Sequence, residues 1–237
     1  MSPRVEKATW SPAWLTEHVA EQAMSAWRGV EDQHIASTMR LVDSAAEQDV
    51  LEQLLEGSKP PAADHPPGQH YLLFTPFRYR PAHPSRFRKA GTLGVWYGAR
   101  ELKTAAAEVA YWRWRFIMDS AGLVREALIT RHTFFEARVH GPCVDLTAPP
   151  WSRHAKAWQH PSDYGATQAL AEAAAQQGVH WVRYASVRDE GGVCAVALTP
   201  FALSASVPMP ESRWQCKATR SSVMMSGPEG HLFWDFG

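Results

Sequence analysis

Only three cysteines occur in 237 residues, Cys143, Cys194 and Cys216, an odd number without CxxC spacing. That argues against a disulfide framework, and the thiols read as reduced groups of a cytoplasmic protein. None of the 11 histidines stands at H-x-H or HExxH spacing, so no metal centre is expected. No apolar run approaches the ~18 residues that a membrane helix needs. The first residues (MSPRVEKATWSPAW) lack the apolar core of a signal peptide. No GxGxxG or Walker-type loop is present, which leaves Rossmann and P-loop nucleotide sites unsupported. Net charge is absent too, since 24 Lys+Arg balance 24 Asp+Glu. A neutral chain has no bulk electrostatic footprint for direct nucleic-acid binding.

What is present is the composition of a packed globular protein, 45% hydrophobic and 11% aromatic with 11 Trp. The neutral total conceals opposed segments. Residues 1–64 carry 11 acids and 5 bases, a net of −6. Residues 65–100 carry no acid and six bases, Arg78, Arg80, Arg86, Arg88, Lys89 and Arg100, a net of +6. A short acid-free stretch of this kind is a local concentration of positive charge within a neutral chain.

Hydrophobic spacing divides the chain into three parts. Leu15, Val19, Ala23, Trp27 and Val30 recur at helical spacing, which predicts an amphipathic helix over 15–30. A second helix is expected from an N-cap at Ser37, through Met39, Val42, Ala46, Val50 and Leu54, to Gly57. These form an acidic N-terminal helical extension, residues 1–58, suited to covering the rest of the protein, building an oligomer or contacting a partner. The stretch KPPAADHPPGQ, residues 59–69, reads as a Pro-rich linker. From residue 70 to 237 the pattern is mixed. Strands are expected at 71–75, 94–98, 123–130, 132–139, 180–187, 193–199 and 212–219, and helices at 101–117 and 163–177. Short strands with a few helices predict an α+β fold.

On a wheel at 100° per residue, Leu102, Ala105, Ala106, Val109, Trp112, Arg113 and Phe116 of the 101–117 helix share one broad stripe, expected to face the core. Glu108 falls at its border, between core and solvent. The Trp112-Arg113-Trp114-Arg115 alternation hints at base stacking, but on a helix these residues point in different directions and read as packing.

Two ordered blocks resemble the RES domain family. The first is Pro84-Ser85-Arg86-Phe87-Arg88, then Gly91, then Val95-Trp96-Tyr97, then Thr104-Ala105-Ala106-Ala107-Glu108, with an eleven-residue step from Tyr97 to Glu108. The second is Arg183-Tyr184-Ala185-Ser186-Val187-Arg188, followed by Gly191-Gly192 and a closing strand, Val193–Leu198. The chain departs from the family pattern at several places. Pro84 and Ser85 stand for its glycines, Arg88 for its Asn and Cys194 for the Asn of the closing strand. The family's first-strand Arg corresponds to Thr75, with Arg78 as a possible substitute.

The resemblance implies an ADP-ribosyltransferase-like RES core, a toxin of a bacterial toxin–antitoxin pair, and NAD as substrate without a metal. RES proteins are NAD-consuming and split the nicotinamide–ribose bond, a glycosyl transfer to phosphate or water; the alternative is a mono-ADP-ribosyltransferase acting on a protein target. A decayed NAD-binding module is a lesser alternative. The reaction passes through an oxocarbenium-like cation, which a carboxylate such as Glu108 stabilises. Tyr97 offers a ring for stacking nicotinamide. Arg86, Arg78 or Arg88 supplies the bidentate guanidinium for the pyrophosphate. Ser186 orients one of these groups or binds substrate. The implied partner is a helix-turn-helix (Xre-type) antitoxin.

Overall fold

The computed structural model describes residues 10–32, 41–61, 63–123 and 125–237. One sheet organises it, of nine strands: β1 (Val19–Glu31), β2 (Trp96–Ala99), β3 (Leu128–Asp145), β4 (Trp181–Ala185), β5 (Val193–Ala197), β6 (Leu203–Ser204), β7 (Glu211–Ala218), β8 (Ser222–Gly227) and β9 (Gly230–Asp235). Strand β3 is its spine. Along one edge it pairs antiparallel with the whole of β1, from Val19 opposite Val144 to Glu31 opposite His132. Along the other it meets β7, β6 and, in parallel, β4. The path β1–β2–β5–β4–β3 closes on itself because β1 also pairs with β3. The remaining strands continue outward as β7–β8–β9.

The helices are α1 (Trp14–Glu17), α2 (Ala45–Ser58), α3 (Tyr71–Phe74), α4 (Leu102–Met118), α5 (Ala155–Trp158) and α6 (Gly165–Gln176). An N-terminal helical part is therefore present, but the helix expected over 15–30 is not: after the single turn of α1 the chain becomes the 13-residue strand β1. Met24 and Ala26 are its buried residues, at period two, and long-range pairing with β3 overrides the local helical spacing. Helix α2 is capped at Ser44, whose side chain accepts from the Glu47 N–H at 3.2 Å; the expected cap at Ser37, with Met39, lies outside the described residues. The strand expected at 71–75 is helix α3, with the Thr75 hydroxyl donating to the Tyr71 carbonyl at 2.7 Å. A four-residue apolar run has no period by which strand and helix can be told apart. Between α2 and α3, Gln69 Nε2 donates to the carbonyls of Pro200 (2.9 Å) and Leu203 (2.7 Å). The two strands expected over 123–139 are one, β3.

Two apolar clusters fill the fold. One packs α4 and α6 against Phe134, Val144, Val182, Val196 and Trp214. The other lines the opposite face with Met24, Ala26, Trp96, Phe135, Ala137 and Trp181, covered by Leu73 and Phe77. Helix α4 buries Ala105, Ala106, Ala107 and Ala110, so its axis lies close to the strands. A similar close approach occurs at Gly94, whose N–H donates to the Tyr79 carbonyl at 2.8 Å. A Cβ there would overlap the backbone carbonyl of Pro76. Gly94→Ala is therefore expected to lose about 3 kcal/mol of stability, read as a lowered urea midpoint at unchanged slope.

Candidate active site

Helix α4 carries Glu108 past the end of β4, where the chain turns at Ser186. The Ser186 hydroxyl accepts from the backbone N–H groups of Arg188 and Asp189, both at 3.1 Å. With those two donors aimed at its oxygen, its single proton is left for Glu108, and it donates to Oε1 at 2.8 Å. The turn is tied back to the helix: Thr104 Oγ1 donates to Asp189 Oδ2 at 2.6 Å, and a Cβ on Gly192 would press on the Thr104 side chain. Ser186 is 8% exposed. The carboxylate thus meets a prearranged donor on a rigid turn.

Burial pushes the Glu108 carboxyl above the ordinary range, and the Ser186 bond and the guanidinium groups of Arg188 and Arg86 pull it partly back. Both arginines are fixed. Arg86 Nη1 donates to the carbonyls of Trp158 (3.0 Å) and His160 (2.9 Å), with its guanidinium 4.9 Å from the Tyr164 ring centre. Arg188 lies 3.4 Å over the Tyr111 ring and donates to the Pro161 carbonyl at 2.9 Å.

Tyr97, on β2, is half-buried; its hydroxyl accepts from the Phe87 N–H at 3.0 Å and bonds Ser85 Oγ at 2.9 Å. Burial raises its phenol, so it stays protonated at neutral pH. Burial likewise pushes the thiols of Cys194 and Cys216 up, and that of Cys143 to about 12, which leaves no thiolate nucleophile.

Glu108, Arg86, Tyr97 and Arg188 line one cavity of about 510 Å³. It also holds a group that sequence reasoning missed, Arg28 on β1. Its Nη1 donates to the Tyr97 carbonyl at 3.1 Å, while its buried Nε has no partner among the described residues. The guanidinium sits 5.6 Å from the Trp96 ring centre, and burial lowers it to about 10, still protonated at neutral pH. A cation without a carboxylate, facing a cavity, is a group arranged for an anionic ligand.

A family model described as the RES domain matches residues 59–217. The chain belongs to the RES domain family. A chain of the crystal structure of the M. tuberculosis MbcT–MbcA toxin–antitoxin complex is similar in structure, with 12% identity and a TM-score of 0.48, over 88% of this chain and 92% of that one. No curated protein matches in sequence.

Of the arginines expected at the site of this RES protein, Arg86 reaches the cavity and two do not. Arg78 bonds the Pro60 carbonyl and pairs with Glu56 at 3.0 Å, bracing α2. Arg88, 8% exposed, donates to the carbonyls of Pro81 (3.1 Å), Lys89 (2.9 Å) and His83, and so holds its own loop together. Thr75 is likewise off the cavity, and the strand that delivers an arginine there is β1. The RES match begins at residue 59, but the cavity wall reaches back to Arg28.

The core stripe expected on α4 also needs correction. Its buried residues are Leu102, Thr104, Ala105, Ala106, Ala107, Ala110 and Ile117, while Val109, Trp112, Arg113 and Phe116 face the cavity. Trp114 does pack, stacked 4.8 Å from Phe236 with its indole N–H on the Arg220 carbonyl at 2.9 Å.

Proposed function

We propose that this RES protein is the toxin of a toxin–antitoxin pair and cleaves NAD at the nicotinamide–ribose bond. The observation that carries the reading is Glu108, held by the Ser186 hydroxyl, on the wall of a cavity that the guanidinium groups of Arg28, Arg86 and Arg188 also line. Such a cavity suits a ligand that is anionic at its pyrophosphate and becomes cationic at one ribose carbon. As the C1′–N bond breaks, nicotinamide leaves with the bonding pair and positive charge spreads over C1′ and the ring oxygen. The Glu108 carboxylate, held by the Ser186 hydroxyl, stabilises that charge without reorganising. An oxyanion of phosphate then bonds C1′, or a water oxygen does so and its proton passes to solvent. Arg86 and Arg28 hold the pyrophosphate, and the ring of Tyr97, fixed through its hydroxyl, flanks the nicotinamide.

The test is incubation of purified, antitoxin-free protein with NAD, with and without phosphate. Release of nicotinamide with ADP-ribose 1″-phosphate or ADP-ribose supports the reading and identifies the acceptor. Label from NAD fixed on a protein band would instead indicate ADP-ribosyl transfer to a side chain, and intact NAD would reject the proposal.

Ser186→Ala carries a pH signature. The Ser186 bond favours the ionised carboxyl, so its removal raises the Glu108 pKa further. Activity needs the ionised form, so the acid limb of the kcat profile is expected to move to higher pH, with kcat lost mainly on that limb and least on its alkaline side. An unmoved acid limb would rule out Glu108 as the titrating group.

A further inference from the structure

The cavity does not end at Glu108. It continues along α4 past Val109 to Trp112 and Phe116, one and two turns further on, and is closed on the far side by Glu31 of β1 and His132 of β3. Trp112 and Phe116 are 47% and 50% exposed, two large rings on one stripe of one helix. Trp114 of the same helix has a ring stacked on it and a carbonyl on its indole; the ring contact of Trp112 is edge-on to Tyr111 at 5.4 Å. Opposite them His132, 2% exposed, bonds Thr130 Oγ1 through Nε2 at 3.0 Å, and its Nδ1 has no partner among the described residues. That nitrogen is itself buried behind the cavity wall. Burial lowers His132 to about 4, so the ring is neutral and adds no positive charge to this end. Arg113, which also lines this end, is engaged in an ion pair with Glu31, so the distal end is aromatic and polar without excess positive charge.

We propose that this distal end of the cavity is a purine subsite that binds the adenine of the dinucleotide, stacked on Trp112 and Phe116. The assignment rests on the reading of the cavity as an NAD site. The spacing agrees with it: from Glu108 to Phe116 is eight residues, about 12 Å along the helix axis. A ribose, a pyrophosphate and a second ribose span that distance when extended. With the scissile ribose at Glu108 and nicotinamide toward Tyr97, the second base falls on the two rings. Stacking accepts any flat π-face, and the base of the dinucleotide remote from the scissile bond is the purine.

The experiment compares AMP with nicotinamide mononucleotide, the two halves of the substrate. Both are titrated calorimetrically into the wild-type chain, Trp112→Ala and Phe116→Ala, and the KM and kcat for NAD are measured in parallel. AMP affinity is expected to fall about tenfold in each variant, the loss of one stacked ring, with nicotinamide mononucleotide affinity unchanged within twofold. KM for NAD should rise by a similar factor at near-constant kcat. Because both rings are half-exposed, the variants should keep the wild-type Tm. Failure of AMP to bind the wild-type chain, or equal AMP affinity in all three proteins, overturns the subsite. So does an equal loss for AMP and nicotinamide mononucleotide, which would mean that the rings support the helix and not the base. AMP binding that depends on Trp112 in a protein that leaves NAD intact would uphold the subsite and reject NAD cleavage. NAD cleavage with an unchanged KM in Trp112→Ala would do the reverse.

Discussion

Glu108→Gln is expected to lose NAD cleavage by at least about 10²–10³-fold, the usual cost of removing one prearranged electrostatic group from the transition state, and to be more stable than the wild type at pH 7. Glutamine keeps a carbonyl for the Ser186 hydroxyl to donate to, so the turn at 186–192 has no reason to move. What disappears is a charge that burial opposes. The folded-state pKa of Glu108 is raised above its unfolded value, burial being the largest cause. Between those two values the native state holds a proton that the unfolded chain has released. Unfolding free energy therefore falls as pH rises through that window, and it stays lower above it. The wild type bears this cost at neutral pH and Glu108→Gln does not. Thermal unfolding should show a higher Tm than the wild type at pH 7, the difference closing as pH drops into the ordinary carboxylate range. Nicotinamide release by Glu108→Gln at the wild-type rate would remove the carboxylate from the chemistry. An equal or lower Tm would mean that the carboxyl is not held against its solvation.

The elements legible in the sequence are those whose pattern is local. The α4 helix and the α6 helix stand within one or two residues of the spans expected from their apolar periods, 101–117 and 163–177. The strands β4 and β5 fall where valine and aromatic residues cluster, and β7 where charged or amide side chains alternate with buried ones. β1 was not legible because its identity is decided by a partner far along the chain, Val19 lying against Val144. Leu15, Val19, Ala23 and Trp27 satisfy a helical period by coincidence, whereas Gly29, unfavourable inside a helix, was a local warning. A Cβ on Gly29 would meet Phe134 and Val109, so it marks where the strand passes close under α4. The hairpin β8–β9, turned at Pro228-Glu229 with Gly230 at φ +116, also had a local signal in that tripeptide.

At the site, Glu108, Tyr97 and Arg86 line one cavity, and Ser186 bonds Glu108. The acid-free stretch from 65 to 100 does not act as one anion funnel. Of its six bases Arg86 lines the cavity, Arg78 and Arg88 hold backbone carbonyls, and Lys89 pairs with Glu172 at 2.6 Å. A linear count of charges does not distinguish a guanidinium that braces a loop from one that faces a ligand. Reading 15–30 as a helix concealed Arg28 for the same reason that it concealed β1: a residue on an outer helical strip has no claim on a cavity.

Arg28→Met is the second large effect expected, and it moves binding and stability in opposite directions. Arg28 projects from β1 with Nη1 on the Tyr97 carbonyl and a buried Nε without a partner, and among the described residues no carboxylate pairs with it. Burial lowers its pKa to about 10, which shows that the folded chain disfavours the cation without discharging it at pH 7. Methionine fills the aliphatic part of the Arg28 site, stops short of the guanidinium and has no charge to desolvate, so Arg28→Met should fold at least as stably as the wild type. The ligand sees the reverse. A pyrophosphate meeting a preformed, half-buried guanidinium loses a charge-assisted pair when it is removed, at about 2 kcal/mol or more, so affinity for ADP-ribose should fall by roughly 30-fold or more. Arg28→Lys separates charge from geometry: a single ammonium keeps the charge but cannot replace the fork that reaches the Tyr97 carbonyl and the ligand together. Its affinity should lie between the two, with the Tyr97 strand less firmly held. Calorimetric titration of ADP-ribose and a thermal melt on the same samples decide the matter. Weaker binding with lost stability would make Arg28 a brace for β2, whereas weaker binding with kept or increased stability is the signature of a cation placed for the substrate.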